Sequence, residues 1–267
     1  MSADLPAVLL GGLLAGLGGL CVPALIAWVP EPAPRETEPE TASEDASEAG
    51  SEDASEDGSD AESAPEDDVP KRLYVDIAAA TGLRMRSALV AAVSGALVGW
   101  STGLDWPLVW LVPLVPVGVA LSTIDWHTRL LPRVIVVPAT LATLLLVTVV
   151  GLATDQRGPL VSALLVMIVA RSFFWVLWAV LGGAGMGFGD VRLAALIGLV
   201  LGWLGPGPAV VGFWIGMVVF GVPGLVLAIV KWERSLMKKA FPFGPFMIIG
   251  ALAGLVWGTA VSRSLWG

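Results

Sequence analysis

The sequence predicts an all-α protein: a polytopic membrane helix bundle of about eight transmembrane helices with a disordered acidic cytoplasmic loop. Three observations lead to this prediction. Of the 267 residues, 56% are hydrophobic and 14% are charged, and the mean hydropathy is +0.81, well beyond the apolar share of a soluble domain. Hydrophobic runs recur along most of the chain. Most acidic residues are instead confined to one stretch, residues 31–70.

The first hydrophobic run, Leu5 to Val29, is long enough to span a bilayer. A signal peptide is the alternative, but the residues before the run contain no Lys or Arg and include Asp4, whereas a signal peptide begins with positive charge. We therefore expect a retained first transmembrane helix with its N-terminus outside. The predicted domains are residues 1–30 for this helix, 31–85 for an acidic loop with a basic juxtamembrane stretch, and 86–262 for the main membrane domain.

The acidic loop has an unusual composition. Residues 31–70 contain 16 of the 23 acidic residues and one of the 15 basic ones, so this stretch carries a charge of −15 and the rest of the chain +7. It has almost no apolar content, and such a chain cannot bury enough surface to offset its conformational entropy. We predict a disordered, solvated spacer, with docking of a basic partner as the alternative. The basic stretch that follows, Lys71 to Arg86, could hold a short interfacial helix.

Seven further hydrophobic runs complete the predicted bundle. They are Ser87–Gly103, Pro107–Ile124, Val134–Ala153, Leu160–Leu181, Leu193–Leu204, Ala209–Val230 and Phe243–Val261. If the N-terminus is outside, the loops rich in Lys and Arg fall on the cytoplasmic side, as the positive-inside pattern requires. Arg171 is an exception inside a run, and must either extend to the membrane surface or meet a partner in the bundle. The shortest run, Leu193–Leu204, should begin earlier in the chain or continue past Pro206.

The residue inventory excludes several kinds of site. The chain has one Cys, Cys21, and one His, His127, which together cannot supply the three or four ligands of a usual zinc site. No Gly-x-Ser-x-Gly sequence marks a serine nucleophile. We therefore expect no metal, no cofactor and no nucleophilic serine chemistry, and the apolar composition gives no indication of nucleic-acid binding. His127 itself is most simply an interfacial polar residue.

A glycine-rich segment containing Asp190 stands out between two hydrophobic runs. It reads Gly185-Met186-Gly187-Phe188-Gly189-Asp190-Val191-Arg192-Leu193. A carboxylate near membrane depth is costly and usually faces a protein interior or a water-filled cavity, so it indicates a functional site. Glycines beside it allow close approach of another chain segment. The alternative is that Asp190 simply caps the following helix, because Asp is a favoured N-cap residue.

Asp125 is the second carboxylate in a matching position. Under the predicted topology Asp125 ends the third run and Asp190 opens the sixth, so both lie at the cytoplasmic ends of helices. Two carboxylates that share a site share a proton, and such a pair can activate water while protonating a leaving group, as in aspartic proteases. Helix termination beside interfacial residues is the alternative for Asp125.

At these residues the chain resembles the type IV prepilin peptidases, the bacterial branch of the Gly-x-Gly-Asp intramembrane aspartyl proteases. The resemblance covers about residues 85 to 260 and depends on three segments: Asp125 with Pro132, Gly187 to Leu193, and Phe243 to Phe246. It implies that Asp125 and Asp190 are the catalytic pair. It also implies supporting roles for other motif residues, namely Pro132, Gly187, Gly189, Arg192, Gly244 and Pro245.

The resemblance further implies a membrane aspartic endopeptidase that uses no metal or other cofactor. Its expected partners are the lipid bilayer and a prepilin or pseudopilin with a basic leader and a hydrophobic helix, cleaved after a Gly at the cytoplasmic face of the bacterial inner membrane. Bifunctional members carry a cytoplasmic domain with paired Cys-x-x-Cys motifs after the first helix. Here the acidic spacer takes that place, so N-methyltransferase activity is not predicted. Arg133 and Arg192 also depart from the residues common at their positions.

Two other functions remain open on sequence grounds. In a proton-coupled transporter, Asp125 and Asp190 would be relay groups near the bilayer midplane, and broken helices would recur in both halves of the chain. No matching broken pair is evident in the first half, and both aspartates fall at the ends of runs. In a structural subunit of a secretion or pilus assembly, the two carboxylates would only cap helices.

Overall fold

The computed structural model describes residues 4–31, 73–180, 186–231 and 242–266, and these residues form ten α-helices and no β-strand. The helices are α1 (Leu5–Gly19), α2 (Val22–Ala27), α3 (Tyr74–Ala78), α4 (Leu83–Thr102), α5 (Leu108–Thr128), α6 (Arg133–Ala153), α7 (Arg157–Val180), α8 (Phe188–Leu204), α9 (Pro206–Lys231) and α10 (Gly244–Trp266). The all-α prediction is confirmed for this part of the chain. The predicted disorder of residues 31–70 falls almost entirely outside it.

Four helices in the described part are long and apolar enough to cross a membrane. They are α5, α6, α7 and α10, with the last counted from Gly244 to Ser264. Helix α1 and the stretch Pro206–Gly221 of α9 are apolar but shorter. A membrane protein with several spans is therefore supported, whereas the predicted number of about eight stays a prediction.

The first hydrophobic run is not one continuous helix. Helix α1 ends at Gly19, and α2 begins at Val22. Pro23 lies just inside the start of α2; proline lacks a backbone N–H, and its ring clashes with the carbonyl four residues earlier, which here is Gly19. Helix α3 then provides a short helix within the basic juxtamembrane stretch.

Two helices extend beyond the hydrophobic runs that predicted them. Helix α8 begins at Phe188, inside the glycine-rich segment, and this explains the short run Leu193–Leu204. It ends where Gly205 adopts a positive φ of 120°. Helix α5 continues past Ile124 to Thr128, and Arg129 closes it in the left-handed conformation with φ 55°.

Helices α1 and α4 meet along a seam of small residues, which we call the α1–α4 seam. Every fourth residue on each helix is small and buried: Ala7, Gly11, Ala15 and Gly19 on α1, and Ser87, Ala91, Gly95 and Gly99 on α4. A Cβ on Gly95 would collide with the Gly11 carbonyl and the Ala15 side chain. The Ser87 hydroxyl donates a hydrogen bond to the Gly19 carbonyl at 2.8 Å. Small residues let membrane helices approach this closely, so backbone packing holds α1 to the bundle.

Similar close contacts organise the second half. A Cβ on Gly198 or Gly202 of α8 would press into the backbone of α7, and one on Gly250 or Gly254 of α10 would press into α9. Helices α7 and α8 are therefore tightly packed antiparallel neighbours, as are α9 and α10. Helix α8 is buried along most of its length, and Trp203 near its end packs edge-on against Trp110 of α5 with ring centroids 5.1 Å apart.

The short helices α2 and α3 pack against each other at the edge of the bundle. The backbone N–H of Val75 donates a hydrogen bond to Oε1 of Glu31 at 3.3 Å. Glu31, the first residue of the acidic segment, therefore contacts the first helix after that segment.

Candidate active site

Asp125 lies in the last turn of α5 and is buried, with 4% of its surface exposed. The carbonyl of Asp125 accepts a hydrogen bond from the N–H of Arg129, and the left-handed conformation of Arg129 ends the helix there. The aspartate thus belongs to a regular helix, and its carboxylate is held on a rigid element inside the bundle.

The start of α10 supplies a partner for this carboxylate. The backbone N–H of Gly244, the first residue of α10, donates a hydrogen bond to Oδ2 of Asp125 at 2.9 Å. A Cβ on Gly244 would lie 2.8 Å from the same oxygen, closer than real side chains approach. The N-terminal N–H groups of a helix have no partner within the helix, and they favour a negative charge nearby. Gly244 therefore allows a helix N-terminus to reach the Asp125 carboxylate directly.

Asp190 is the third residue of α8 and is also buried, with 6% of its surface exposed. Gly187, in an extended conformation, occupies the N-cap position that the capping interpretation gave to Asp190. The Asp190 carboxylate turns back toward the Gly187 backbone, an arrangement typical of an acidic residue in the first helical turn. It lies close enough to Asp125 for the two negative charges to repel each other. The structure therefore brings the two predicted carboxylates together in one buried site.

Leu131 packs between the two glycine positions beside the carboxylates. A Cβ on Gly189 would lie 2.7 Å from the Cβ of Leu131, and one on Gly244 would lie 3.4 Å from a methyl group of Leu131. Gly189 is thus required by close packing against the segment that follows Asp125, whereas the contact at Gly244 is an ordinary van der Waals contact. Sequence reasoning missed Leu131, because an apolar residue between two motifs carries no distinguishing pattern.

The remaining motif residues, Pro132, Pro245 and Arg192, each occupy a different position relative to the two carboxylates. Pro132 is buried and occupies the N-cap position of α6, in an extended conformation that ends the turn after α5. Pro245 follows Gly244 at the start of α10 and lines a cavity described below. Arg192 points back toward the start of α8, where its guanidinium carbon lies 4.8 Å above the centre of the Phe188 ring. It makes no ion pair with either aspartate.

His127 is exposed, and its Nδ1 lies 2.8 Å from the carbonyl oxygen of Thr123 one turn earlier in α5. This contact gives the imidazole a partner within its own helix. A second residue near the end of α5 was not predicted: the phenol of Tyr74, the only tyrosine in the chain, is buried and approaches the hydroxyl of Thr128. Tyr74 thus packs against the end of α5, the helix that carries Asp125.

An apolar cavity of about 620 Å³ lies within the bundle near the end of α5. Helices α4, α5, α8 and α10 line it, from Trp126 and Pro245 near the carboxylates to Val98 and Leu255 farther along the bundle. The ten residues from Pro245 to Leu255 correspond to about 15 Å of helix at 1.5 Å per residue. Neither aspartate lines this space, but Trp126 and Pro245 at one end of it directly follow Asp125 and its hydrogen-bond partner Gly244.

The site around Asp125 and Asp190 does not have the ligand set of a metal centre in the described part of the chain. Among the described residues, no group of three or more His, Cys, Asp or Glu side chains could hold a metal ion. The arrangement can exchange protons, because two carboxyl groups in one buried site favour a state in which one is protonated and acts as an acid while the other is ionised and acts as a base.

Comparison with known proteins bears on the same part of the chain. The family model for the type IV leader peptidase family matches residues 112–260, a region that includes both aspartates. Curated relatives include three proteins named prepilin leader peptidase/N-methyltransferase. The protein from Aeromonas salmonicida is 30% identical, and the match covers 62% of this chain and 53% of the relative. The protein from Stutzerimonas stutzeri is 29% identical, and the match covers 67% of this chain and 61% of the relative. The protein from Pseudomonas aeruginosa is 29% identical, and the match covers 66% of this chain and 59% of the relative.

The chain thus spans a little more than half the length of these curated relatives. No solved structure matches the chain.

Proposed function

Because the chain belongs to the type IV leader peptidase family, we propose that it is a membrane aspartic endopeptidase that removes the leader from type IV prepilin or pseudopilin precursors. The family membership supports a membrane-embedded protease of the prepilin peptidase type. The observation that carries the aspartic mechanism is that Asp125 and Asp190 are both buried within the matched region, near enough for their charges to interact.

In this mechanism one carboxyl group of the pair is protonated and the other is ionised. The ionised group takes a proton from a water molecule, and the water oxygen attacks the carbonyl carbon of the scissile peptide bond. The protonated group stabilises the developing oxyanion, and its partner then donates a proton to the leaving amine as the C–N bond breaks. The Gly244 N–H steadies the ionised form of Asp125 through its hydrogen bond.

The apolar cavity supports a prepilin as substrate. One end of it lies at Trp126 and Pro245, which directly follow Asp125 and Gly244 in sequence, and it runs along four helices. A hydrophobic substrate helix could therefore lie in it while the preceding residues approach the aspartates. A basic leader would then extend beyond the bundle at the end that carries Asp125. We propose that this end faces the cytoplasm, as the distribution of Lys and Arg along the sequence predicts.

The remaining features of the proposal come from the sequence. They are insertion in the bacterial inner membrane with about eight transmembrane helices, and the division into residues 1–30, 31–85 and 86–262, the last as the peptidase domain. The names of the relatives include N-methyltransferase, so the comparisons do not support excluding that activity. The expectation that this chain lacks it depends only on the absence of cysteines from residues 31–70.

The test is cleavage of a co-expressed prepilin by single Asp→Asn variants, followed by gel mobility. Asn keeps the shape of the side chain but cannot exchange a proton. Asp125→Asn and Asp190→Asn should each abolish leader removal while the protein still inserts in the membrane. The matched control is Asp105→Asn, because Asp105 is exposed and its carboxylate accepts a hydrogen bond from the neighbouring Trp106 N–H.

Substantial processing by either active-site variant would reject the aspartic mechanism. It would favour a structural subunit if both variants were fully active in the assembly of pili. A proton-coupled transporter would instead require proton movement that both Asn variants abolish, without any cleavage by the unaltered protein.

A further inference from the structure

Three arginines gather on the outer surface of the bundle, close to the end that carries the two carboxylates. Arg133 is the first residue of α6, Arg171 lies in α7, and Arg192 lies near the start of α8. The three helices pack against one another pairwise. Arg133 follows Leu131 by two residues, and Leu131 packs against Gly189 in the first turn of α8, so Arg133 lies at the same end of α8 as Arg192. The positive charges of Arg133 and Arg171 both act on the guanidinium of Arg192. We call these residues the arginine cluster.

The antiparallel packing of α7 and α8 fixes the relative heights of two members. Gly198 of α8 lies against Val166, Met167 and Ala170 of α7. Arg192 precedes Gly198 by six residues, so it lies opposite the turn of α7 that follows Arg171. The Arg192 guanidinium stacks over Phe188 and thus points toward the end of the bundle where α8 begins.

The position of Arg171 along α7 determines where its guanidinium group can lie relative to the membrane. Its Cα follows Arg157, the first residue of α7, by 14 residues, which is about 21 Å of helix. A hydrocarbon core is about 30 Å thick, so the Arg171 backbone lies within it if α7 begins at the opposite surface. The side chain is exposed on the outside of α7, and a long arginine side chain in that position extends to the lipid headgroups. Arg171 thus reaches the level of Arg192.

The cluster has no carboxylate partner in the part of the chain that the structure describes. The one ion pair found there joins Arg157 to Asp155 at the other end of α7. Three neighbouring positive charges repel one another, and they do so more strongly beside hydrocarbon than in water. An anion that contacts all three would relieve this repulsion, and arginine binds phosphate through paired N–H donors.

We propose that the arginine cluster binds the phosphodiester headgroup of an anionic phospholipid from the membrane leaflet on this side. The height of the cluster and its exposure on the outer surface favour a lipid over a soluble anion. The cluster is separate from the carboxylate pair, and the proposal stands whether or not the chain is a protease. A bound lipid would also tie α6 to α7 and α8 at the edge of the active site.

The experiment uses the full chain purified in a neutral detergent. Phosphatidylglycerol and phosphatidylcholine with identical acyl chains are added separately, and retained lipid is counted by native mass spectrometry while thermal unfolding is followed in parallel. The unaltered protein should retain phosphatidylglycerol preferentially and gain thermal stability from it. Inorganic phosphate at the same concentration should give no such stabilisation.

The variants then locate the site. Arg133→Gln, Arg171→Gln and Arg192→Gln should each weaken phosphatidylglycerol binding about fivefold, the effect of one basic residue at an anionic surface. The control Arg157→Gln removes an exposed arginine from the opposite end of α7 and should leave binding unchanged. If a Gln variant fails to fold, Arg171→Lys serves instead, and it should retain more binding than Arg171→Met because it keeps the charge.

Three results would overturn the proposal. The first is equal retention of the two phospholipids by the unaltered protein. The second is an equal loss of binding in Arg157→Gln and the cluster variants, which would indicate a general charge effect. The third is stabilisation by inorganic phosphate that matches that by phosphatidylglycerol, which would indicate a soluble anion as the ligand.

Discussion

The backbone N–H of Gly244 donates a hydrogen bond to Oδ2 of Asp125 at 2.9 Å, across 119 residues of sequence. Gly244 is the first residue of α10, and Asp125 is in the last turn of α5. The hydrogen bond therefore joins the start of one helix to the end of another, and it fixes the carboxylate relative to α10. A side chain at position 244 would collide with the oxygen that accepts this bond.

Gly244→Ala should therefore lower leader cleavage by about 10²-fold, the scale of the loss expected when a catalytic group is displaced by about 1 Å. The added methyl group must push either α10 or the Asp125 carboxylate away. The measurement is the initial rate of prepilin cleavage by purified protein in liposomes. Gly158→Ala is the matched control, because no heavy atom lies within 4 Å of a Cβ at that position. Near-normal cleavage by Gly244→Ala would mean that the contact is dispensable.

The two aspartates should behave as one unit in a double-mutant cycle. When groups act together in one step, removing either costs about as much as removing both. The rate of Asp125→Asn/Asp190→Asn should therefore equal that of each single variant, at the background level of the cleavage assay. Residual activity that falls further in the double variant would show that the carboxylates act independently.

The α1–α4 seam should be sensitive to a single methyl group. Gly95→Ala places a Cβ against the Gly11 carbonyl and Ala15, and overpacking of this kind costs about 1–3 kcal/mol. We expect a lower thermal unfolding midpoint in detergent, with Gly158→Ala again as the control. An unchanged midpoint would indicate that α1 is free to shift away from α4.

The orientation of the bundle can be tested with reporter fusions. The basic residues Lys231, Arg234, Lys238 and Lys239 are clustered in sequence, and positive charge favours the cytoplasmic side. An alkaline phosphatase or green fluorescent protein fusion after Lys239 should report a cytoplasmic location, and one after Gly267 an external location. The opposite pair of results would place the carboxylates on the external side.

Deletion of residues 31–70 should leave membrane insertion and prepilin cleavage largely intact. The composition of this segment predicts a spacer that contributes little to a membrane bundle. The measurements are the amount of inserted protein and the rate of leader removal in cells. Loss of the inserted protein would show that the segment has a structural role.

Much of the bundle could be predicted because hydrophobic runs report directly on helices in a membrane. The ends of the helices were less predictable, because a hydrophobic run ends at the first charged residue whereas the helical backbone can continue past it. Asp125 ended a hydrophobic run, yet α5 continues to Thr128, and the helix ends only where Arg129 turns left-handed. The break between α1 and α2 likewise depends on the backbone effect of Pro23, which hydropathy does not register.

The candidate site was predicted in its residue types but not in its contacts. Asp125 and Asp190 were identifiable because a carboxylate in an apolar region is costly and needs a reason. The hydrogen bond from Gly244 and the packing of Leu131 could not be predicted, because both join segments distant in sequence. The position of Arg171 near Arg192 also emerges only from the register of α7 against α8.

The hydrogen bond between Glu31 and Val75 has a consequence for how this architecture can vary. Because helices α2 and α3 pack together and Glu31 contacts Val75, the described residues on either side of 32–72 lie at one place on the bundle. The entropic cost of closing a flexible loop grows only logarithmically, by about 0.6 kcal/mol for each doubling of its length. The bundle is therefore nearly indifferent to how many residues are inserted between these two helices. Evolution could exchange a spacer for an entire folded module at this junction without disturbing the carboxylate pair.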